Sequence, residues 1–143
     1  SLAREIQTNS RPFSAPCVIL AAGETTTKIS DNAEIRGHGG PSHELVAAFA
    51  LAASKVPGAC MLSIDTEGTD GTTLYAGGLT DSKTAEAARL AGIDLYEALR
   101  GHAVGEALVA LNDAVFTGNT GTNLCDLNVL YVPAAASDRF KKS

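Results

Sequence analysis

The stretch Thr117-Gly118-Asn119-Thr120-Gly121-Thr122-Asn123-Leu124-Cys125-Asp126 gathers glycines, small hydroxyls, amides and a carboxylate between two apolar runs. A loop of this kind offers free backbone N–H groups and short polar side chains in one place, which suits an oxygen-rich ligand. It is not a Walker-type phosphate loop, because no lysine follows the second glycine.

Three further segments carry polar chemistry. Gly23-Glu24 turns the chain after an apolar run. Gly37-His38-Gly39-Gly40-Pro41-Ser42 holds part of a dinucleotide fingerprint, but Ser42 stands where the third glycine belongs and Pro41 removes an N–H from the start of the following helix. An anion facing a helix N-terminus and a turn that simply needs glycine both satisfy this stretch. His43-Glu44 lacks the second histidine at helical spacing that a zinc-protease motif needs, so His38 and His43 read as capping or core-edge residues and no metal site is expected. Asp65-Thr66-Glu67-Gly68-Thr69-Asp70-Gly71 puts three carboxylates within six positions, with the wrong spacing for an EF-hand. They could share Mg²⁺ with substrate phosphates, or cap neighbouring N–H groups, and both readings stand. No serine sits in a nucleophile-elbow context.

The elements that must position these loops alternate. Cys17 to Ala22 is a continuous apolar run, predicting a strand covered on both faces, and Thr25 to Ile29 has the β-branched content of a hairpin partner. A helix is predicted from about Pro41 to Ser54, stopped by Pro57-Gly58. Ala59 to Ile64 reads as a strand, and about Ser82 to Ala91 as a helix capped by Asp81 and ended by Gly92. Asp94 and Glu97 form a capping box for a short helix ending near Gly101. Val104 to Leu111 is a further helix, Ala114 to Phe116 a strand, and Leu127 to Val132 the last strand. The alternation predicts an α/β layered domain with a mixed β-sheet flanked by helices. Three of the four polar loops follow predicted strands, where ligands sit in open α/β sheets.

At 143 residues the chain is one domain of sufficient size for a real core, spanning about 16–132 with flexible ends at 1–12 and 135–143. Its 45% hydrophobic and 5% aromatic content calls for a core of Ala, Leu, Val and Ile. The formal charge of −5 argues against nucleic acid or an anionic membrane as partner. Cys17, Cys60 and Cys125 are too few and scattered for a disulfide framework and read as buried thiols in a reducing cytoplasm. No apolar run approaches a bilayer span.

In order along the chain, Gly23-Glu24-Thr25-Thr26, Gly39-Gly40 with Glu44-Leu45, Thr69-Asp70-Gly71 with Ala76-Gly77-Gly78, and Thr117-Gly118 with Thr120-Gly121-Thr122-Asn123 and Asp126-Leu127 resemble the MOFRL domain. That domain is the C-terminal part of class II glycerate 2-kinases, which are often named hydroxypyruvate reductases. The resemblance covers about residues 16 to 132. It implies ATP-dependent phosphoryl transfer to D-glycerate with Mg²⁺, in a cleft whose other wall is a larger N-terminal domain carrying a lysine. It further implies catalytic roles for Glu24, Asp70 and Asn123, and substrate binding by Gly39, Gly40, Ser42, His43, Thr120, Gly121, Thr122 and Asp126. The expected partners are a small-molecule acid or a nucleotide, an N-terminal kinase domain or partner chain, and a second copy of the chain. One departure stands out: the family usually reads Gly-Gly-Arg-Asn-Gln-Glu where this chain has Gly39-Gly40-Pro41-Ser42-His43-Glu44, so Pro41 replaces an arginine suited to an anionic substrate. A domain that keeps the fold and binds a small anion or nucleotide without catalysis is therefore the alternative. A nicotinamide-dependent hydroxypyruvate reductase is a lesser one.

Overall fold

Alternating side chains along four strands give the sheet one face that the helices cover. The computed structural model describes residues 2–135 other than Ser30 and Asn32. Its elements are α1 (Leu2–Asn9), β1 (Cys17–Gly23), α2 (Pro41–Ala53), β2 (Cys60–Asp65), β3 (Gly77–Asp81), α3 (Thr84–Leu90), α4 (Leu95–Arg100), α5 (Val104–Ala110), β4 (Ala114–Val115) and β5 (Asp126–Val132). The strands lie in the order β1-β5-β2-β3-β4. The layered α/β architecture is the one the sequence predicts, but all four ladders are antiparallel rather than mixed. An apolar run carries no record of strand direction, which is why the sequence reading missed this.

The helices cover one face only. Cys17, Ile19, Leu130 and Val132 point toward Ala3, Ile6, Val56 and Ala59. Beside them Val46, Ala47, Val104 and Leu108 pack with Met61 and Ala114, and Ala50, Ala88, Leu95 and Ala107 complete the layer. Burying a side chain such as Leu108 or Val46 contributes about 1.5–3 kcal/mol. α2 lies at the centre of this layer, against β2 and β3, and Thr80 Oγ1 donates to the Val46 carbonyl at 2.8 Å.

Four local expectations are corrected. Residues 2–9 form a helix rather than a flexible end, because Ala3 and Ile6 are buried in the core. Thr25–Ile29 form no strand along the open edge of β1, because the Thr25 amide is taken by Asp126 and the Thr27 hydroxyl by Glu44. β1 is covered on one face rather than two, with Val18 and Leu20 exposed. Cys125 is an exposed thiol in the left-handed backbone region, while Cys17 and Cys60 are partly buried. The strand β3 and its Gly77-Gly78 start were not foreseen. Asp81 does cap the helix that follows, its Oδ1 accepting from the amides of Lys83 (2.7 Å) and Thr84 (3.1 Å). Asp94 caps α4 through the amides of Tyr96 and Glu97. The expectation for the C-terminal tail falls, from residue 136 onward, outside the described residues.

Candidate functional site

One end of the sheet gathers the polar loops. Gly23 closes β1, Asp65 closes β2, and both pair with Asp126 at the start of β5. The loops that follow Gly23 and Asp65 therefore lie beside the loop that precedes Asp126. Asp126 is nearly buried and its Oδ2 accepts from the Thr25 amide at 2.6 Å, tying segments 101 positions apart.

The 66–76 segment is the hub. On one side Thr66 Oγ1 donates to the Cys125 carbonyl (2.8 Å) and accepts from the Leu124 amide (2.7 Å). Thr120 Oγ1 donates to the Thr66 carbonyl at 2.6 Å, and Asn123 Nδ2 donates to Glu67 Oε2 at 3.0 Å. Gly68 packs directly on Gly118. On the other side the Thr72 amide donates to the Gly39 carbonyl at 3.0 Å, and Gly71, at φ +59°, lies so close to Gly39 that a Cβ would strike the Gly39 carbonyl. Three of the four loops are thus fastened into one surface, and the Thr25–Asp126 hydrogen bond brings in the fourth.

Two depressions open there. One, of about 370 Å³, is lined by Glu67, Thr69, Asn119, Gly121, Thr122 and Asn123. The other, of about 260 Å³, is walled by Thr27, Ile29, Ile35 and Pro41, with Gly39, Gly40, Gly71 and Thr72 around it. At its base Glu44 and His102 meet, Oε1 to Nδ1 at 2.7 Å, and Thr27 Oγ1 donates to Glu44 Oε2 at 3.0 Å. A carboxylate against Nδ1 requires a hydrogen on that nitrogen, so the neutral ring keeps its basic lone pair on Nε2.

The expected site residues therefore separate. Glu24, Thr120, Gly121, Thr122 and Asn123 are exposed and able to meet a ligand, and Gly39 and Gly40 border the smaller pocket. Ser42, His43 and Asp70 are closed off from solvent. His43 and Ser42 have no exposed surface and Asp70 is 2% exposed. Asp70 instead caps α2 from a distance: its Oδ2 accepts from the His43 amide at 3.0 Å and lies 2.5 Å from His43 Nδ1, without hydrogen-bond alignment to that ring nitrogen. The His43 ring meets Tyr75 edge to face. The Gly40 N-cap supplies no side-chain acceptor, so this remote carboxylate takes its place. Asp126 likewise holds the Thr25 amide. Asp70 and Asp126 thus each hold a backbone amide of another segment.

His102, Glu44 and Thr27 are the polar group that sequence reasoning missed. His102 sits at a junction between α4 and α5, 58 positions from Glu44, with nothing local to mark it. A second histidine, His38, pairs with Glu106 at 2.7 Å on the exposed edge. Burial pushes the Glu106 carboxyl up, but hydrogen bonds from the His38 ring and amide, with the charge of His38, outweigh it and hold the group below its usual range. Among the described residues no three His, Cys, Asp or Glu side chains converge as a metal set.

A layered α/β domain whose polar loops converge at one end of an antiparallel sheet is the class defined so far. Residues 17–126 match the MOFRL family, and the chain belongs to it. It is 37% identical over 132 residues to a glycerate 2-kinase of Pyrococcus horikoshii, covering 92% of this chain and 29% of that protein. It is 35% identical over 127 residues to a D-glycerate 2-kinase of Thermotoga maritima, covering 89% of this chain and 30% of that one. The crystal structure of a glycerate kinase from Thermotoga maritima superposes with a TM-score of 0.85 at 32% identity, over 92% of this chain and 31% of that one. The chain thus spans less than a third of the length of these relatives. No helix of the described residues is long and apolar enough to cross a membrane.

Proposed function

We propose that this domain supplies acceptor-side loops for ATP-dependent phosphoryl transfer to a glycerate hydroxyl, acting with a second domain that it does not itself contain. The observation that carries the reading is the fastening of the MOFRL loops into one surface at the sheet end, in a chain whose relatives are named glycerate kinases. Phosphoryl transfer is catalysed mainly by positioning and electrostatics, and a rigid surface of amides, hydroxyls and amide side chains suits that task. ATP and Mg²⁺ would be held chiefly by the opposite wall, with the exposed Thr120–Asn123 segment and Glu67 on this one.

Within this reading His102 is the base, held by Glu44. The substrate hydroxyl oxygen forms its bond to the γ-phosphorus, the bond to the ADP oxygen breaks, and the hydroxyl proton passes to His102 Nε2. Pro41 leaves the substrate carboxylate without the arginine that the family resemblance implies, so recognition falls to the backbone amides of Gly40 and Gly71, the Gly39 amide being given to Thr72 Oγ1.

The test is a coupled assay of ATP and D-glycerate on the longest native polypeptide that contains this chain. ADP release dependent on glycerate is expected. No turnover in a folded protein of that length sinks the kinase reading. A binding role without catalysis would then show as thermal stabilisation by D-glycerate or ATP alone.

A further inference from the structure

The sheet has a second face, and no buried cluster of the described residues lies on it. Register places Val18, Tyr131 and Cys60 in one row, then Leu20, Val129, Leu62 and Leu79, then Ala22, Leu127, Ile64, Gly77 and Val115. The only charged residue in register with these rows is Asp81, opposite Cys60 at the margin. The two buried clusters that include strand residues take them all from the opposite face. Leu20 is consequently 68% exposed, Val18 58%, Leu79 48% and Tyr131 38%. Scattered exposed apolar residues are ordinary, but a contiguous patch continuous across four strands marks an interface.

The dimensions identify the occupant. With strands about 4.8 Å apart and about 3.4 Å per residue, four strands of about six residues present roughly 400 Å². Two copies laid face to face would bury roughly 800 Å² in all, below the 1,200–2,000 Å² of a stable interface between separate chains. A segment tethered in the same polypeptide needs far less area, because its local concentration is already high, and interfaces between domains of one chain extend down to about 600 Å². The relatives supply such a segment, since this chain covers only 29% and 30% of their lengths. A sheet face of staggered Val, Leu, Ile and Tyr is the surface onto which apolar helix stripes pack in layered α/β domains.

We propose that this bare face is the seat of a helical layer supplied by the remainder of a longer polypeptide, so that the full domain is built as helix, sheet, helix. The layer lies beside the loop-bearing end of the sheet and fixes which side of the candidate site the second domain approaches.

The test places single cysteines at Val18→Cys and Leu79→Cys, on different strands, so that one misfolded variant does not decide the result. N-ethylmaleimide labelling is read peptide by peptide, in this chain and in the longest native polypeptide that contains it. Free reaction is expected in the chain and labelling at least about 10-fold slower in the longer protein, because the thiol must wait for local opening. Equal rates in both, or a native frame no longer than this chain, overturn the proposal. Protection already present in the chain, with a doubled mass in light scattering, overturns it in favour of a second copy. Turnover plays no part in the readout, so the kinase reading and this one fail separately.

Discussion

Asp70 offers the sharpest test of whether a carboxylate in a family motif acts on a ligand or holds the fold. It is buried, its Oδ2 accepts from the His43 amide at 3.0 Å, and the His43 ring lies against it. Asp70→Ala strips the acceptor from the start of α2 and leaves the buried His43 amide without a partner. A charge-assisted hydrogen bond contributes about 1.5–3 kcal/mol, and a carboxylate at a buried helix N-terminus up to about 2 kcal/mol. These overlap, so a cost of about 2–3 kcal/mol is expected. For a domain of this size each kcal/mol moves the midpoint by about 2–4 °C, giving a fall of about 5–10 °C. Asp70→Asn keeps an oxygen for the His43 amide and loses the charge, so about 1–2 kcal/mol is expected. Circular dichroism melts and urea titrations of both variants measure the two costs. An Asp70→Ala protein within about 1 kcal/mol of the parent would refute the capping argument. The same outcome, with lost turnover in the longer polypeptide, would return Asp70 to the chemistry.

Gly40→Ala sets a methyl carbon 2.5 Å from Asp70 Cγ, so it should destabilise by about 1–3 kcal/mol, and by measurably less in an Asp70→Ala background, as a double-mutant cycle of urea midpoints will show. His102→Gln in the longest native polypeptide should lower kcat by about 100-fold or more with KM nearly unchanged and the melt shifted by under about 1 kcal/mol. Glu44→Gln should lower kcat in the same direction through loss of ring orientation, and a parental kcat in both removes the base assignment. The depressed Glu106 carboxyl contributes stability that is fully present above the ordinary glutamate range near pH 4.3 and is lost as pH falls through its lower folded value. Because the pair with His38 is more than half exposed, the contribution is a few tenths of a kcal/mol, and Glu106→Gln should flatten the difference between urea midpoints at pH 6 and pH 3 by about that much.

Which parts of this molecule were legible beforehand follows from how local their causes are. The apolar runs of β1, β2 and β5, the Pro41 start of α2 and the caps Asp81 and Asp94 are written in neighbouring residues. β3 begins with Gly77-Gly78, whose small size serves close packing against β2 and α2 and hides the strand from any pattern of side chains. Thr25–Ile29 has strand-like composition, yet contacts of Thr25 with Asp126 and of Thr27 with Glu44, neither of them local, draw it away from the open edge of β1. For the candidate site, the four loops could be found by composition and family pattern, while their internal division could not. Whether Asp70 and His43 face inward depends on a capping contact 27 positions long, and the His102–Glu44 pair on one of 58.

β5 is the last strand in sequence, yet it lies between β1 and β2. During synthesis from the N-terminus, β1 and β2 therefore emerge with neither its shared partner present, and about 60 residues separate the end of β2 from Asp126. The Asp126 carboxylate that receives the Thr25 amide arrives with that same strand. Closing the sheet and completing the loop surface are then a single late event, so a ribosome-stalled or C-terminally clipped chain lacking β5 would carry the helices and β2–β3 but no assembled site. Slow closure of such long-range pairs also leaves the apolar strands open for longer, which makes the interval before β5 arrives the period when this chain is most exposed to aggregation.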